Sequence, residues 1–144
     1  MFDELEKYKT NAHFFFRATD ALEQVCNAPG EKDGVYIVYE LKNGRINLVL
    51  IGASGVKMPG YAIKEGLLGL KTAIISGSES EWKTPRSQAW PVKMLSENID
   101  ALDIYWWVTY KGNRGNHPDD VKKLLYRNYK GMYGELPKWN KRGK

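Results

Sequence analysis

The sequence is poor in the residues that cross-link small domains or hold metal ions. It contains one cysteine, Cys26, and two histidines among 144 residues. One cysteine cannot form an internal disulfide, and the sequence has no Cys/His cluster with the spacing of zinc ligands. These absences exclude a disulfide-stabilised fold, and we expect no metal-ligand residues.

Long apolar runs are also absent. No stretch is long and apolar enough to span a membrane, so we expect no membrane partner. The first residues, MFDELEKYK, are acidic and amphipathic, unlike a signal peptide. Both observations predict a cytoplasmic protein.

The composition is that of a globular domain. Hydrophobic residues make up 42% of the chain and charged residues 27%, which supplies enough apolar side chains for a core at this length. The sequence contains no internal repeat and no linker-like segment. We therefore expect a single domain over residues 1–144, with its oligomeric state left open.

Positive charge is concentrated towards the C-terminus. The net charge is +5, yet residues 1–40 carry eight acidic and four basic side chains, and residues 111–144 carry three acidic and ten basic ones. Clustered Lys and Arg favour a polyanionic partner because they release counterions from phosphate backbones. A basic surface that only improves solubility explains the same charge equally well.

The segment from Gly34 to Gly52, GVYIVYELKNGRINLVLIG, predicts a β-hairpin. Val35–Leu41 and Ile46–Ile51 are rich in β-branched and aromatic residues, and the Asn-Gly pair between them tolerates the positive φ angles of a tight turn. A purely structural hairpin explains the segment by itself. The alternative is that its two ends, GVY and LIG, belong to an active site.

Apolar periodicity after the hairpin predicts helices and one further strand. Residues 61–77 form an amphipathic pattern, in which Lys71 either buries only its stem or points its amine into a cleft. A second helix is expected over residues 87–98, with Pro91 in its first turn. Residues 102–110 alternate as a strand, and Pro118 begins a last helix.

The N-terminal region predicts shorter elements. Residues 2–9 and 20–25 fit short helices, the second with a capping box from Asp20 to Glu23. The HFFF segment at residues 13–16 is interpreted as an apolar contribution to the core. The predicted fold is therefore α+β, with a three-stranded antiparallel sheet flanked by helices.

The order of these segments resembles the GIY-YIG endonuclease family, and within it a bacterial, restriction-type branch. The two tripeptides that name the family correspond to Gly34-Val35-Tyr36 and Leu50-Ile51-Gly52. Further similar segments are CNAP at residues 26–29, ENIDALDIYW at residues 97–106 and LPKWN at residues 136–140. The resemblance covers residues 7–140 and implies a GIY-YIG-like domain.

The resemblance implies a set of catalytic positions, of which this chain matches two. Tyr36 stands at the first tyrosine of the family, which acts on the attacking water, and Asn140 at the C-terminal asparagine. Three positions are substituted: the second tyrosine by Leu50, the helix arginine by Ala73 and the metal-ligand glutamate by Lys122. An ammonium group repels a metal ion, so no cofactor is expected; Mg²⁺ would be needed only if the chain were active.

Nucleic acid, with DNA expected, is the partner that the resemblance and the charge imply together. Six residues are candidate contacts: Lys71, Arg86, Arg114, Lys122, Lys123 and Arg127. Solvent-exposed charges with no partner explain them as well, and a core position explains Tyr36. The tryptophans are expected mainly in the core, although a basic groove would let them stack on bases.

Three functions remain open at this point. The first is a nucleic-acid-binding domain derived from a GIY-YIG endonuclease, with hydrolysis weak or lost. The second is an active Mg²⁺-dependent endonuclease in which Lys71, Arg86, Asp119 and Asp120 replace the missing groups. The third is a protein-interaction or regulatory module that has kept only the fold. A positive groove through Tyr36 favours the first two.

Overall fold

The fold is α+β, as predicted, with an antiparallel sheet between two layers of helices. The computed structural model describes residues 2–54, 69–77, 84–112 and 114–141. A 3-10 helix, Asp3–Lys7, precedes nine elements in chain order: β1 (Asn11–Phe16), α1 (Leu22–Val25), β2 (Asp33–Lys42), β3 (Arg45–Ala53), α2 (Gly69–Ser76), α3 (Arg86–Glu97), β4 (Ala101–Lys111), β5 (Arg114–Gly115) and α4 (Pro118–Tyr133). None of the helices in the described part of the chain is long and apolar enough to cross a membrane.

The sheet has five strands, so the prediction of three is wrong. The strand order is β1-β4-β2-β3, and the two-residue β5 pairs with β4. The HFFF segment belongs to β1, which pairs antiparallel with β4 and places Phe14 opposite Ile104. Phe14 and Phe16 are buried while Phe15 is exposed. A run of three identical rings hides this alternation in the sequence.

The predicted hairpin is confirmed. β2 and β3 pair antiparallel from Val35–Ala53 to Lys42–Arg45. Asn43 and Gly44 have φ angles of 53° and 75°, which suits the two-residue turn that Asn-Gly favours. β2 is central in the sheet and β3 is an edge strand.

Two hydrophobic clusters cover the two faces of the sheet. On one face, α2 and α3 contribute Ile74 and Met94, which pack with Tyr36 and Val38 of β2. On the other face, α4 contributes Val121 and Leu125, which pack with Val35, Ile37 and Ile51. Because β2 is covered on both faces, its buried residues run without alternation from Asp33 to Val38.

Helix ends agree with the sequence in part. α4 begins at Pro118, as predicted, and His117 is its N-cap residue. α3 begins at Arg86, so Pro91 lies inside the helix and its placement in the first turn is wrong. The predicted capping box from Asp20 to Glu23 is wrong, because α1 begins at Leu22 with Ala21 as its N-cap residue and without a side-chain cap. The Asp20 carboxylate accepts instead from the Arg17 amide at 2.8 Å. Of the helix predicted within 61–77, residues 61–68 lie outside the described residues.

Candidate functional site

A cleft of about 300 Å³ lies beside the hairpin ends. β2 and β3 form its floor, α3 and α4 contribute side chains, and residues 136–141, here named the C-terminal segment, close one side. The described residues that line it include five basic side chains and no acidic one; the basic ones are Arg86, Lys93, Lys122, Lys138 and Lys141. The described lining of the cleft is therefore basic.

The two tripeptides of the hairpin meet at Tyr36 and Gly52. These residues are direct partners in the β2–β3 register, and the Tyr36 ring lies so close over Gly52 that a Cβ atom there would overlap with it. Tyr36 is fully buried, although its hydroxyl is directed to the cleft wall. Glycine at position 52 is thus what allows the tyrosine to lie across the edge strand.

Arg86 covers the Tyr36 hydroxyl. From the first turn of α3, its Nη1 donates to that hydroxyl and, at 3.1 Å, to the carbonyl oxygen of Ala73. Its guanidinium carbon lies 5.6 Å from the centre of the Tyr36 ring and 5.5 Å from that of Trp90. Both of these acceptors are neutral, so neither hydrogen bond neutralises the positive charge of Arg86. This charge lies against α2 at Ala73, the position that the resemblance assigns to a cation.

Asn140 binds the open edge of β3. The Ile51 amide donates to its Oδ1 at 2.8 Å, and its Nδ2 donates to the Ile51 carbonyl at 2.9 Å and to the Tyr126 hydroxyl at 3.0 Å. The neighbouring Trp139 amide donates to the Val49 carbonyl at 2.9 Å. The C-terminal segment therefore pairs with β3 much as a further strand would.

Lys138 anchors the same segment through two carboxylates. Its Nζ lies 2.9 Å from Glu40 and 2.7 Å from Glu97. Burial alone would raise the pKa of Glu97, but hydrogen bonds and charge from Lys138, with smaller contributions from Trp139 and Lys93, lower it. Burial likewise opposes the charge of Lys138, yet Glu97 and Glu40 raise its pKa. Both partners therefore stay ionised around neutral pH.

The other cations approach the cleft from different elements. Lys122 lies on α4, 5.5 Å from the centre of the Tyr126 ring, with Asp119 3.7 Å from its amine. Lys93 lies on α3, 5.1 Å from the centre of the Trp139 ring. These cations contact indole and phenol rings, so charge and apolar surface alternate around the cleft.

The structure brings some of the predicted site residues together and separates others. Tyr36, Leu50, Arg86, Lys122 and Asn140 line the cleft. Ala73 lies behind it, fully buried, and offers only its carbonyl.

The remaining predicted contacts lie elsewhere. Lys123 and Arg127 are exposed on α4, Arg114 is exposed in β5, and Lys71 is half-buried in α2. The charge of Lys71 acts on Cys26, where it opposes the effect of burial, which raises the pKa of that thiol. Lys71 is not among the residues that line the cleft.

A divalent cation does not fit the residues of this cleft. Within the described ranges, no group of three or more His, Cys, Asp or Glu side chains is placed to hold a metal ion. Asp119, one of the two carboxylates considered as substitutes, binds Lys122 and Lys123 instead. The described lining offers ammonium and guanidinium groups where Mg²⁺ requires oxygen donors.

Sequence reasoning missed three of the five cleft cations. Lys138 and Lys141 belong to the basic C-terminal third, so the charge distribution indicated their region but not their position. Lys93 gave no signal, because a lysine on an amphipathic helix normally faces solvent. Comparison of the chain with family models, with curated proteins and with solved structures finds no match, so the family resemblance stays a prediction.

Proposed function

We propose that this protein is a nucleic-acid-binding domain with a GIY-YIG-like origin, in which phosphodiester hydrolysis is weak or lost. The observation that carries the proposal is the cleft itself, whose described lining contains five basic side chains and no acidic one. Carboxylates outside the lining pair with Lys122, Lys138 and Lys141. Among the described residues no carboxylate forms an ion pair with Arg86 or Lys93, so these two side chains supply the charge that attracts phosphate. DNA is the expected partner.

The surroundings of the cleft support contact with more than one phosphate. Lys123, Arg127 and Lys130 are exposed on α4, and their spacing of four and three residues places them on one side of the helix. The neighbouring Lys122 reaches the cleft from the same helix. A backbone that enters the cleft would therefore meet further positive charge along α4.

The aromatic residues support nucleic acid over a small inorganic anion. Trp90 and Trp139 line the cleft with their ring centres 6.3 Å apart. Trp139 is half-buried and offers a surface on which a base can stack, beside cations that bind the adjoining phosphate.

Weak or absent hydrolysis follows from the state of Tyr36 and its neighbours. The Tyr36 ring is fully buried and its hydroxyl is bound by Arg86, so a water molecule has no direct access to it. Leu50 provides no second hydroxyl, and Lys122 provides no metal ligand. Removing a single group that stabilises the transition state commonly costs about 10²–10³ in rate. Here three such positions are changed, although effects of groups that act together are not additive.

Binding to a labelled oligonucleotide tests the proposal. We expect the protein to raise the fluorescence anisotropy of a short DNA duplex at low salt. The logarithm of the affinity should fall with the logarithm of salt concentration, with a slope of about −0.9 per phosphate contacted. A single strand gives a shallower slope of about −0.7 per contact.

Matched variants locate the binding site. Lys93→Gln and Lys122→Gln each remove one cleft cation and should lower the salt slope by about one contact. Lys9→Gln removes the same charge from an exposed residue beside the 3-10 helix, outside the cleft, and should leave binding unchanged. Equal losses in all three variants would show that binding reflects net charge and not the cleft.

The two alternative functions are outcomes of the same experiments. Cleavage of the duplex in Mg²⁺ or Mn²⁺ would establish an active endonuclease and overturn the proposed loss of hydrolysis. Failure to bind either duplex or single strand at low salt would favour a protein-interaction module that has kept only the fold.

A further inference from the structure

A second pocket, of about 280 Å³, lies on the opposite face of the sheet from Tyr36. It lies next to the 3-10 helix, whose Leu5 and Glu6 are among its lining residues. Its walls include Phe2, Tyr8, Tyr39, Tyr105 and Trp107, and its one charged lining residue among those described is Glu6.

The rings form a corner and not a flat patch. Tyr105 and Trp107 lie side by side on β4, with centres 6.1 Å apart and planes 20° from parallel. Tyr39 on the adjacent strand meets Tyr105 edge to face, at 5.6 Å and 82°. The His13 ring stacks on the Tyr105 ring, with the ring centres 4.5 Å apart. Two walls of aromatic surface therefore meet nearly at a right angle.

A carboxylate lies beside this corner. Asp103, almost fully buried, lies beside Tyr105 on β4 and binds His13 at 2.7 Å. Burial, followed by the neighbouring Tyr105 and Asp103, raises the pKa of Tyr39, and burial followed by Asp103 raises the pKa of Tyr105. Aromatic faces add their own negative potential, which attracts cations to about 6 Å from the ring centre.

One ring of the pocket already attracts a cation within the protein. The ammonium group of Lys7 lies 5.4 Å from the centre of the Tyr8 ring. Lys7 is exposed and does not line the pocket, so the contact leaves the corner between Tyr39, Tyr105 and Trp107 open to a ligand.

We propose that this pocket binds an alkylated ammonium group, with Tyr39, Tyr105 and Trp107 as its aromatic walls and Glu6 as the countercharge. A quaternary ammonium group is the cation that fits such a site, because its methyl groups pack against rings and it needs no hydrogen-bond acceptors. The pocket is separate from the basic cleft: the pocket binds a cation, whereas the cleft binds the anionic phosphate groups of nucleic acid.

Titration with choline tests the proposal on the unmodified protein. The indole N–H signal of Trp107 in a ¹H–¹⁵N spectrum, assigned with Trp107→Phe, should shift and saturate as choline chloride is added at constant ionic strength. The neutral isostere 3,3-dimethylbutan-1-ol has the same shape without the charge. It should bind about tenfold more weakly or not at all, because only the charge distinguishes the two.

Two variants separate the charge from the rings. Glu6→Gln changes an exposed side chain and should weaken choline binding by about threefold, as the loss of one exposed countercharge does. Tyr105→Leu should weaken it by about tenfold. If Tyr105→Leu fails to fold, the isostere and Glu6→Gln still decide the question.

The source of the ammonium group is distinguished by one further ligand. If an N-acetylated trimethyllysine amide binds more tightly than choline, the natural ligand is a modified lysine side chain. If choline binds more tightly, the natural ligand is a free small molecule. Equal binding of choline and its neutral isostere would overturn the proposal. So would a choline titration that shifts other signals but not Trp107.

Discussion

Replacement of Asn140 by alanine should destabilise the protein through the exposed edge of its sheet. β3 is an edge strand, and the main-chain N–H and C=O groups of Ile51 point away from β2 towards the Asn140 amide. Edge strands with unpaired groups are sites of aggregation, and proteins commonly cover them. In this protein, one asparagine side chain covers both groups of Ile51.

The magnitude follows from the three hydrogen bonds that Asn140→Ala removes. Two join Asn140 to Ile51 at 2.8 and 2.9 Å, and one joins it to Tyr126 at 3.0 Å. Each such bond contributes about 0.5–1.5 kcal/mol net. Because water can reach an edge strand and replace part of the loss, we expect a decrease of about 2 kcal/mol in the free energy of unfolding. For a chain of this length, the melting temperature should fall by about 6 °C.

Urea denaturation followed by circular dichroism measures the change, and hydrogen exchange localises it. The Ile51 amide should lose protection in Asn140→Ala, whereas the Ile37 amide on the central strand should keep it. Gln88→Ala, which truncates an exposed amide side chain on α3, is the control and should change the free energy of unfolding by less than about 0.5 kcal/mol. A folded Asn140→Ala protein with wild-type stability and a protected Ile51 amide would refute this reasoning.

Three further changes test the cleft. Gly52→Ala forces the tyrosine ring above it to move and should cost about 1–3 kcal/mol in thermal unfolding, whereas Gly131→Ala, in open space within α4, should stabilise by about 0.5–1 kcal/mol. Ala73→Arg introduces the arginine that the family resemblance expects at this position, but Ala73 is fully buried and has no room for it. The variant should unfold or lose about 3 kcal/mol in the free energy of unfolding. A stable variant that cleaves DNA would contradict this expectation. The pKa of Glu97 is lowered in the folded protein, so the ionised carboxylate stabilises the fold at pH values above the ordinary carboxyl pKa of about 4.3. This stabilisation is lost as the pH falls through the pKa that Glu97 has in the folded protein. The stability difference between wild type and Lys138→Met should therefore shrink in acid urea titrations; a constant difference would exclude the ion pair as its cause.

The hairpin and the last helix could be predicted because their signals are local. Asn43 and Gly44 adopt the positive φ angles that their residue types tolerate, and Pro118 begins α4 as its missing N–H group allows. The sheet could not be counted from the sequence, because β1 consists largely of consecutive aromatic residues. The pairing of β1 with β4 joins residues about 90 positions apart, and no local pattern encodes that pairing.

Tyr36 and Asn140 were predicted from the family resemblance, and the structure places both at one cleft. Their role there stays a prediction. Arg86 and Lys93 reach the cleft from α3, and Lys138 reaches it from the C-terminal segment. The convergence of these two elements depends on packing across the sheet. The aromatic pocket on the other face could not be predicted for the same reason, because its rings come from three separate segments of the chain and meet only in the folded protein.

The central claim is that the cleft binds nucleic acid without cleaving it, and one gel tests both parts. Supercoiled plasmid is incubated with the protein in Mg²⁺ or Mn²⁺ and electrophoresed before and after removal of the protein with detergent and protease. We expect plasmid that is retarded at low salt and that returns to the supercoiled position once the protein is removed. Nicked or linear plasmid in the treated lanes, or no retardation in the untreated ones, would contradict it.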